Sequence, residues 1–200
     1  MISAVVVSDR SAPLTARAIA LLREDAARTG ELLEAVAVVN SQEPDEVRAV
    51  SDVADVTIDP GRNLGYAGGL NQGIAAARGD VLFLMNPDVA AFPGAVSALA
   101  DVVRREPLVL AGPATYLDSD ASILIPPFEE PGPLDLARRR LMLEPAAARR
   151  VFARRLRRTL RAAAALGRRE TLEVSAIPGA LMAVSRRTLD AVGPFRRPDP

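Results

Sequence analysis

Three nearly uninterrupted apolar segments constrain the fold of this 200-residue chain more than any other feature of its sequence. They cover residues 2–7, 32–39 and 81–85, and helix-forming sequence separates them. Apolar segments without polar alternation are typical of strands buried on both faces, as in a parallel sheet covered by helices. Helices are expected from Pro13 to about Arg28 and from Pro44 to about Val50, because proline is tolerated in a first helical turn. The pattern predicts an α/β, Rossmann-like fold with a mostly parallel sheet and helices on both faces.

The remaining elements follow from the same periodicities and from the positions of glycine and proline. With 49% hydrophobic residues, the chain can bury one core. In chain order we expect a strand at 56–58, a glycine-rich loop at 59–69, a helix at 70–78, a helix at 93–105, a strand at 108–115, a proline-rich loop at 118–133, strand-like sequence at 172–184 and a short helix at 186–192.

The chain contains no histidine, no cysteine and no lysine, and this narrows its possible chemistry. Ser-His-Asp hydrolysis, cysteine nucleophiles and ordinary zinc sites are excluded. A Walker-A phosphate loop and a Schiff-base enzyme both need lysine and are excluded as well. Catalysis must therefore use carboxylates, a hard metal held by oxygen atoms, or both. The lack of cysteine favours a cytoplasmic protein, and neither a signal peptide nor a transmembrane segment is predicted.

Polar residues follow three of the predicted strands, as Ser8-Asp9, Asn40-Ser41 and Asn86-Pro87-Asp88. In open parallel sheets, ligands bind beyond the carboxyl ends of the strands, where the strand order reverses. The Asp88 carboxylate and the Asn86 amide can face one Mg²⁺ or Mn²⁺, which keeps its other positions for phosphate oxygens and water. The alternative is an ordinary turn, in which Asn, Pro and Asp are common.

A glycine-rich segment, residues 63–73, leads into the predicted helix at 70–78. Its backbone amides can approach a ligand closely, because glycine has no side chain. The segment lacks the Gly-x-Gly-x-x-Gly spacing of a dinucleotide site. A structural turn without a ligand is the alternative.

Together these segments resemble glycosyltransferase family 2, and in particular its rhamnosyltransferase-like branch, over residues 2–195. The most specific part of the resemblance is Asn63-x-Gly65 with Gly68-Gly69-x-Asn71-x-Gly73-Ile74, followed by Leu84-Met85-Asn86-Pro87-Asp88-Val89. These stretches resemble the family's nucleotide loop and its Asp-x-Asp-type metal motif. A second match, Pro178-Gly179-Ala180-Leu181-Met182-Ala183-Val184 with Val192-Gly193-Pro194-Phe195, resembles the floor of the acceptor site.

The resemblance implies a GT-A fold and an inverting glycosyltransferase assisted by Mg²⁺ or Mn²⁺. The donor would be a nucleoside-diphosphate sugar, either dTDP-rhamnose-like or a UDP-sugar, and the acceptor a polysaccharide or a lipid-linked glycan. Residues 1–117 would form the nucleotide-sugar half, residues 118–170 an insertion and residues 171–200 the start of the acceptor half. Asp88 would bind the metal. The implied nucleotide-sugar residues are Val7, Ser8, Asn40, Asn63, Gly65, Gly68, Gly69, Asn71, Asn86 and Asp88, and the implied acceptor-side residues are Pro178, Gly179 and Ala180.

The chain departs from the family pattern where the general base is expected. In the family the base belongs to an acidic pair shortly after the Gly-x-Phe stretch. This chain has only Asp199 there, between two prolines, so no catalytic residue is assigned and the base is expected beyond Pro200. We therefore expect either a truncated product or a nucleotide-sugar-binding module without transferase activity. Asn40 and Ser8-Asp9 also stand where the family has an Asp and a Tyr-Asn-like pair.

An arginine-rich segment, residues 138–169, holds twelve arginines and one acid, a net charge of +11 against −11 in the rest of the chain. Apolar residues recur in it at helical spacing, which predicts an amphipathic helical arm. Such a helix binds anionic membrane surfaces, which would place the protein at the inner face of the cell membrane beside a lipid-linked acceptor. The alternatives are packing of the stripe within the protein and a role as an adaptor. Nucleic acid is not expected as a partner, because Phe152 is the arm's one aromatic residue.

Overall fold

The computed structural model describes residues 1–106, 108–125, 153, 156–157, 160–161, 163–165, 168, 170–174 and 176–196. The chain forms two compact units, one of Met1–Pro113 with Gly179–Pro200 and the other of Ala114–Pro178. The three functional parts implied by the family resemblance stay a prediction.

A six-stranded, mostly parallel sheet organises the first unit, in the order β3-β2-β1-β4-β8-β5. Strands β1 to β4 are parallel, while β8 lies antiparallel between β4 and β5. The predicted α/β class and the mostly parallel sheet are thereby confirmed. The strands are β1 (Ile2–Ser8), β2 (Leu33–Val39), β3 (Val56–Ile58), β4 (Val81–Met85), β5 (Leu110–Ala111), β6 (Thr115–Tyr116), β7 (Leu124–Ile125) and β8 (Leu181–Ser185).

Helices cover both faces of this sheet, also as predicted. Ile2, Ala4 and Val6 of β1 point into the main apolar cluster, which includes residues of α1 and α4. Val5 and Val7 point to the other face, where glycines of α3 lie against them. The helices are α1 (Ala12–Thr29), α2 (Pro44–Ser51), α3 (Gly65–Ala76), α4 (Ala95–Arg105) and α5 (Arg186–Val192).

Two buried carboxylates fix helices to this framework. Asp25 of α1 accepts hydrogen bonds from the backbone N of Gly94 at 2.6 Å and of Val96 at 2.9 Å. It caps the N-terminus of α4, which has no side-chain cap of its own. Glu34 of β2 accepts from Ser3 Oγ at 2.5 Å and from the backbone N of Arg78 at 2.8 Å, at the amino end of the sheet.

The structure corrects several of the predicted elements. Of the strand-like sequence expected at 172–184, the strand β8 begins only at Leu181, and residues 172–174 are not a strand. The expected strand at 108–115 is reduced to β5, and the chain then enters the second unit, where β6 pairs antiparallel with β7. The predicted loop at 118–133 therefore includes the strand β7. The Asp118 carboxylate accepts hydrogen bonds from the backbone N of Ser122 and Ile123 and closes the turn between β6 and β7. Residues 126–133 lie outside the described part of the chain.

The arginine-rich arm falls largely outside the described residues. Positions 153, 156–157, 160–161 and 163–165 are helical, as the spacing predicts there. Ala165 is buried, whereas Leu156 and Leu160 are exposed. Within the described residues, no helix combines the length and the apolar character needed to cross a bilayer.

Candidate functional site

The predicted polar strand ends meet at one edge of the sheet. The central strand β1 has its sequence neighbour β2 on one side and β4 on the other, so the strand order reverses at β1. The register pairs Ser8 with Val39 and Val6 with Met85, and the chain then continues to Asn40 from β2 and to Asn86 from β4. Ligands of open α/β sheets bind at this kind of crevice.

The N-terminus of α1 at this edge is filled by the protein's own carboxylate. Glu46 Oε1 accepts hydrogen bonds from Ser8 Oγ at 2.5 Å and from the backbone N of Ser11 at 2.8 Å. Its Oε2 accepts from the backbone N of Arg10 at 2.8 Å. Dinucleotide-binding folds place phosphates at this first helix. Because Glu46 binds the backbone N of Arg10 and Ser11, these amides are not free to bind a phosphate.

This network also uses the side chain of Ser8, one of the predicted nucleotide residues, which is fully buried. Burial raises the pKa of Glu46, but hydrogen bonds from Ser41, Ser8 and two backbone amides outweigh it and hold the pKa below its ordinary value of 4.5. The carboxylate is therefore charged and fixed at neutral pH, and Ser8 is held within the protein.

A set of amide side chains joins the end of β2 to the start of α3. Buried Asn40 accepts from the backbone N of Leu64 at 3.4 Å and donates to the carbonyl of Gly65 at 3.2 Å. Asn63 accepts from the backbone N of Gly65 at 2.7 Å and donates from Nδ2 to Asp9 Oδ2 at 3.2 Å. Asn63 and Asp9 are exposed. They, rather than Asn40, present polar atoms to the edge of the site.

The loop predicted for residues 59–69 is confirmed only for residues 59–64, because α3 begins at Gly65 and residues 65–69 of the glycine-rich segment are helical. Gly65 has φ +69°, a backbone conformation that favours glycine. A Cβ at Gly69 would lie 2.9 Å from Val7 Cγ1, and one at Gly73 would lie 2.3 Å from Val5 Cγ1. A Cβ at Gly68 would lie 2.8 Å from Leu64 Cβ. Gly69 and Gly73 thus let α3 pack closely on β1. This tertiary contact explains why glycine, a poor helix former, lies inside a helix.

The predicted metal motif follows β4 directly, and its Asp88 carboxylate is exposed. Asp88 lies close enough to Tyr66 of α3 for its charge to act on the phenol. Burial and, secondarily, the Asp88 charge raise the pKa of Tyr66 to about 12. No three His, Cys, Asp or Glu side chains group as a ready metal site among the residues described. A single carboxylate fits Mg²⁺ or Mn²⁺ only where phosphate oxygens and water complete the coordination.

The predicted acceptor-side turn lies beside this motif. The backbone N of Asn86 donates to the carbonyl of Ala180 at 2.9 Å, which extends the pairing of β4 with β8. The hydroxyl of Tyr66 donates to the carbonyl of Gly179 at 3.2 Å. The structure therefore brings together the first turn of α3, the segment from Asn86 to Asp88, and residues 179–180. Pro178 belongs to the other unit.

Asn71 lies apart from this group. Its Nδ2 donates to the carbonyl of Phe195 at 2.8 Å and its Oδ1 accepts from the backbone N of Phe195 at 2.9 Å. Arg186 at the start of α5 donates to the carbonyl of Ala77 at 2.5 Å and to that of Gly79 at 3.2 Å. These contacts hold the segment after β8 on α3, so the Asn71 amide serves the packing of α3.

Three residues of this edge were not among the site residues inferred from the sequence: Tyr66, Glu46 and Asp9. Asp9 was visible as part of a polar strand end, and Tyr66 lies inside the glycine-rich segment. Glu46 gave no signal, since an acid in the first turn of a helix is ordinary. Asp199, the acid nearest the expected base, lies outside the described residues.

The mixed sheet and its polar edge define an α/β protein of the GT-A class. The chain belongs to glycosyl transferase family 2, whose model matches residues 3–174. The family resemblance is thereby confirmed, while its rhamnosyltransferase-like branch stays a prediction. No curated protein sequence matches the chain.

One solved structure supports the fold over nearly the whole chain, and two others are similar over about half of it. A mannosyltransferase, PcManGT from Pyrobaculum calidifontis in complex with GDP-Man and Mn²⁺, is similar with a TM-score of 0.57 and 19% identity, over 98% of this chain and 47% of that one. The mannosyl-3-phosphoglycerate synthase of Rubrobacter xylanophilus has a TM-score of 0.42 and 18% identity, over 52% of this chain and 35% of that one. The glucosyl-3-phosphoglycerate synthase of M. tuberculosis has a TM-score of 0.40 and 20% identity, over 55% of this chain and 43% of that one. The chain thus spans about half the length of the first of these proteins.

Proposed function

We propose that this chain is the nucleotide-sugar-binding part of an inverting glycosyltransferase that uses Mg²⁺ or Mn²⁺. The observation that supports this most directly is the meeting of three segments at one place. Asp88 follows β4, its charge acts on Tyr66 of α3, and the Tyr66 hydroxyl bonds to Gly179 next to the start of β8. Donor-side and acceptor-side segments thereby share one edge of the sheet.

On the donor side, the Asp88 carboxylate would hold the cation, and the amide of Asn86 in the same segment could add a second oxygen ligand. A bound divalent cation would neutralise the charge on the departing diphosphate. The first turn of α3 adds partial positive charge, because its amides have no intrahelical acceptor and the N-cap residue Leu64 gives them no side-chain cap, although Asn63 binds the backbone N of Gly65. Asn63 and Asp9 offer a polar rim for the nucleoside, at the edge where Glu46 already fills the N-terminus of α1. Gly69 of α3 packs directly on Val7 of β1 and so fixes the helix against the sheet.

The complex of PcManGT with GDP-Man and Mn²⁺ supports a nucleoside-diphosphate sugar as the donor. For this chain the donor would be a dTDP-rhamnose-like or UDP-linked sugar. The acceptor hydroxyl, on a polysaccharide or a lipid-linked glycan, attacks the anomeric carbon from the face opposite the diphosphate, and a carboxylate outside the described residues takes its proton. A lipid-linked acceptor would suit contact of the arginine-rich arm with the inner face of the cell membrane.

Calorimetric titration with UDP-, GDP- and dTDP-sugars, with and without Mn²⁺, tests the proposal. We expect binding of at least one donor that requires the cation, and its loss in Asp88→Ala. Asp101→Ala is the matched control, because Asp101 is an exposed acid on α4 whose ion pair with Arg105 contributes little. Cation-independent binding, or equal binding by the two variants, would refute the role of Asp88.

Turnover separates the enzyme from a binding module. Release of nucleoside diphosphate in the presence of an acceptor glycan would establish transfer, whereas donor binding without turnover would identify a nucleotide-sugar-binding module. An adaptor that acts through the arginine-rich arm predicts a third result. Its binding to anionic liposomes would survive Asp88→Ala and would not respond to nucleotide sugars.

A further inference from the structure

Tyr66 bonds to the acceptor side of the proposed site, lies within range of the Asp88 charge, and has no chemical role in the function described so far. Its ring is 38% exposed at the edge of the sheet, next to the charge of Asp88. Its hydroxyl donates a hydrogen bond of 3.2 Å to the carbonyl of Gly179. This residue lies 113 positions further along the chain.

The turn that Tyr66 holds has little else to fix it. A Cβ added at Gly179 would meet no atom within 4 Å, so side-chain packing does not confine this residue. Two hydrogen bonds reach adjacent carbonyls of the turn. One comes from the backbone N of Asn86 to Ala180, and the other from the Tyr66 hydroxyl to Gly179. The first belongs to the sheet, whereas the second is a side-chain hydrogen bond, made by Tyr66, among the residues that the structure describes.

The chemistry of the phenol suits a permanent donor. A hydroxyl can hold a carbonyl only while it keeps its proton. A tyrosine hydroxyl ordinarily has a pKa of about 10, so at neutral pH it keeps its proton and can donate to the Gly179 carbonyl. Phenylalanine would keep the ring and lose only this bond.

We infer that Tyr66 is a positioning residue that fixes the acceptor-side turn at Gly179 relative to a cation and diphosphate bound at Asp88. The inference rests on the proposed function and deepens it. The Tyr66 hydroxyl binds the carbonyl of Gly179, and the next residue, Ala180, accepts from the backbone N of Asn86, two positions before the carboxylate that would hold the cation. Loss of the hydroxyl leaves the cation ligand intact and loosens the turn.

The first measurement tests whether Tyr66 lies beside the bound cation. The protein has no tryptophan and two tyrosines, so Tyr116→Phe leaves Tyr66 as the single fluorophore. UDP with Mn²⁺ and UDP with Mg²⁺ absorb alike, but only Mn²⁺ is paramagnetic and quenches a neighbouring ring. We expect lower Tyr66 emission with Mn²⁺ than with Mg²⁺, and no difference once Asp88 is also replaced by Asn.

The second measurement tests the hold on the turn. Hydrogen exchange in peptides that cover residues 179–181 should be about five-fold faster in Tyr66→Phe, the change expected from losing a hydrogen bond worth about 1 kcal/mol. Calorimetric affinity for UDP with Mn²⁺ should change less than about two-fold, since Asp88 is untouched. Exchange over β2 is the internal control, and a thermal melt confirms that the variant folds.

The outcomes distinguish this inference from the proposed function. Cation-dependent UDP binding with identical emission under Mn²⁺ and Mg²⁺ would refute the place of Tyr66 beside the cation. Unchanged exchange at residues 179–181 in Tyr66→Phe would refute its hold on the turn. Absence of binding of UDP, GDP and dTDP with either cation would refute the proposed function itself, and the role of Tyr66 within it.

Discussion

Replacement of Gly73 by alanine should destabilise the protein, although alanine is the better helix former. Gly73 lies in the middle of α3, and an added Cβ would lie 2.3 Å from Val5 Cγ1 and 3.3 Å from Val38 Cγ2. Favourable carbon–carbon contacts need about 3.5–4.0 Å. Val5 and Val38 are fully buried, and their β-branched side chains have little freedom to rotate away. The helix or the sheet therefore has to shift.

Two effects of opposite sign set the magnitude. Overpacking of a buried site costs about 1–3 kcal/mol, and glycine-to-alanine replacement within a helix recovers up to about 1 kcal/mol. We expect a net loss of about 1–2 kcal/mol, or about 2–8 °C in Tm for a chain of this size. Urea unfolding followed by circular dichroism measures the change. Gln72→Ala, an exposed replacement on the same helix, should stay within about 0.5 kcal/mol of the original protein.

A double-mutant cycle with Val5→Ala isolates the steric cause. Val5→Ala alone removes two methyl groups from the core and should cost about 2 kcal/mol. In the Gly73→Ala background it also removes the clash, so its cost should fall by about 1–2 kcal/mol. A Gly73→Ala variant as stable as the original, with Val5→Ala costing the same in both backgrounds, would show that close packing does not select glycine here.

Two further predictions concern the buried carboxylates. Asp25→Ala removes the acceptor for the backbone N of Gly94 and Val96. It should lower the free energy of unfolding by about 1–2 kcal/mol in a urea titration. A loss no larger than that of the exposed control Asp101→Ala would contradict the capping role of Asp25. Because the pKa of Glu46 is lowered in the fold, its contribution to stability is present above its ordinary value of 4.5 and is lost as the pH falls through the folded value. Glu46→Gln should therefore be less stable at neutral pH and lose less stability on acidification, and unfolding midpoints that fall in parallel for both proteins would rule this out.

The family and the class of fold could be predicted from the sequence because both depend on local pattern. Continuous apolar segments report burial on both faces, so β1, β2 and β4 were found nearly to the residue. The strand ends at Ser8, Asn40 and Asn86 followed from the same segments, and a parallel sheet necessarily puts them at one edge. The antiparallel insertion of β8 between β4 and β5 was not predictable, because strand order depends on long-range pairing.

The sequence by itself determined which residues end the strands, which chemistry is excluded, and that a carboxylate follows β4. Only the tertiary structure decided what those residues do. Gly69 and Gly73 became contacts of a helix with Val7 and Val5. Glu46 closed the N-terminus of α1, and Tyr66 reached Gly179. The physical reason is that periodicity and composition act over a few neighbouring residues, whereas a steric fit or a hydrogen bond between residues 113 positions apart exists only once the sheet has assembled.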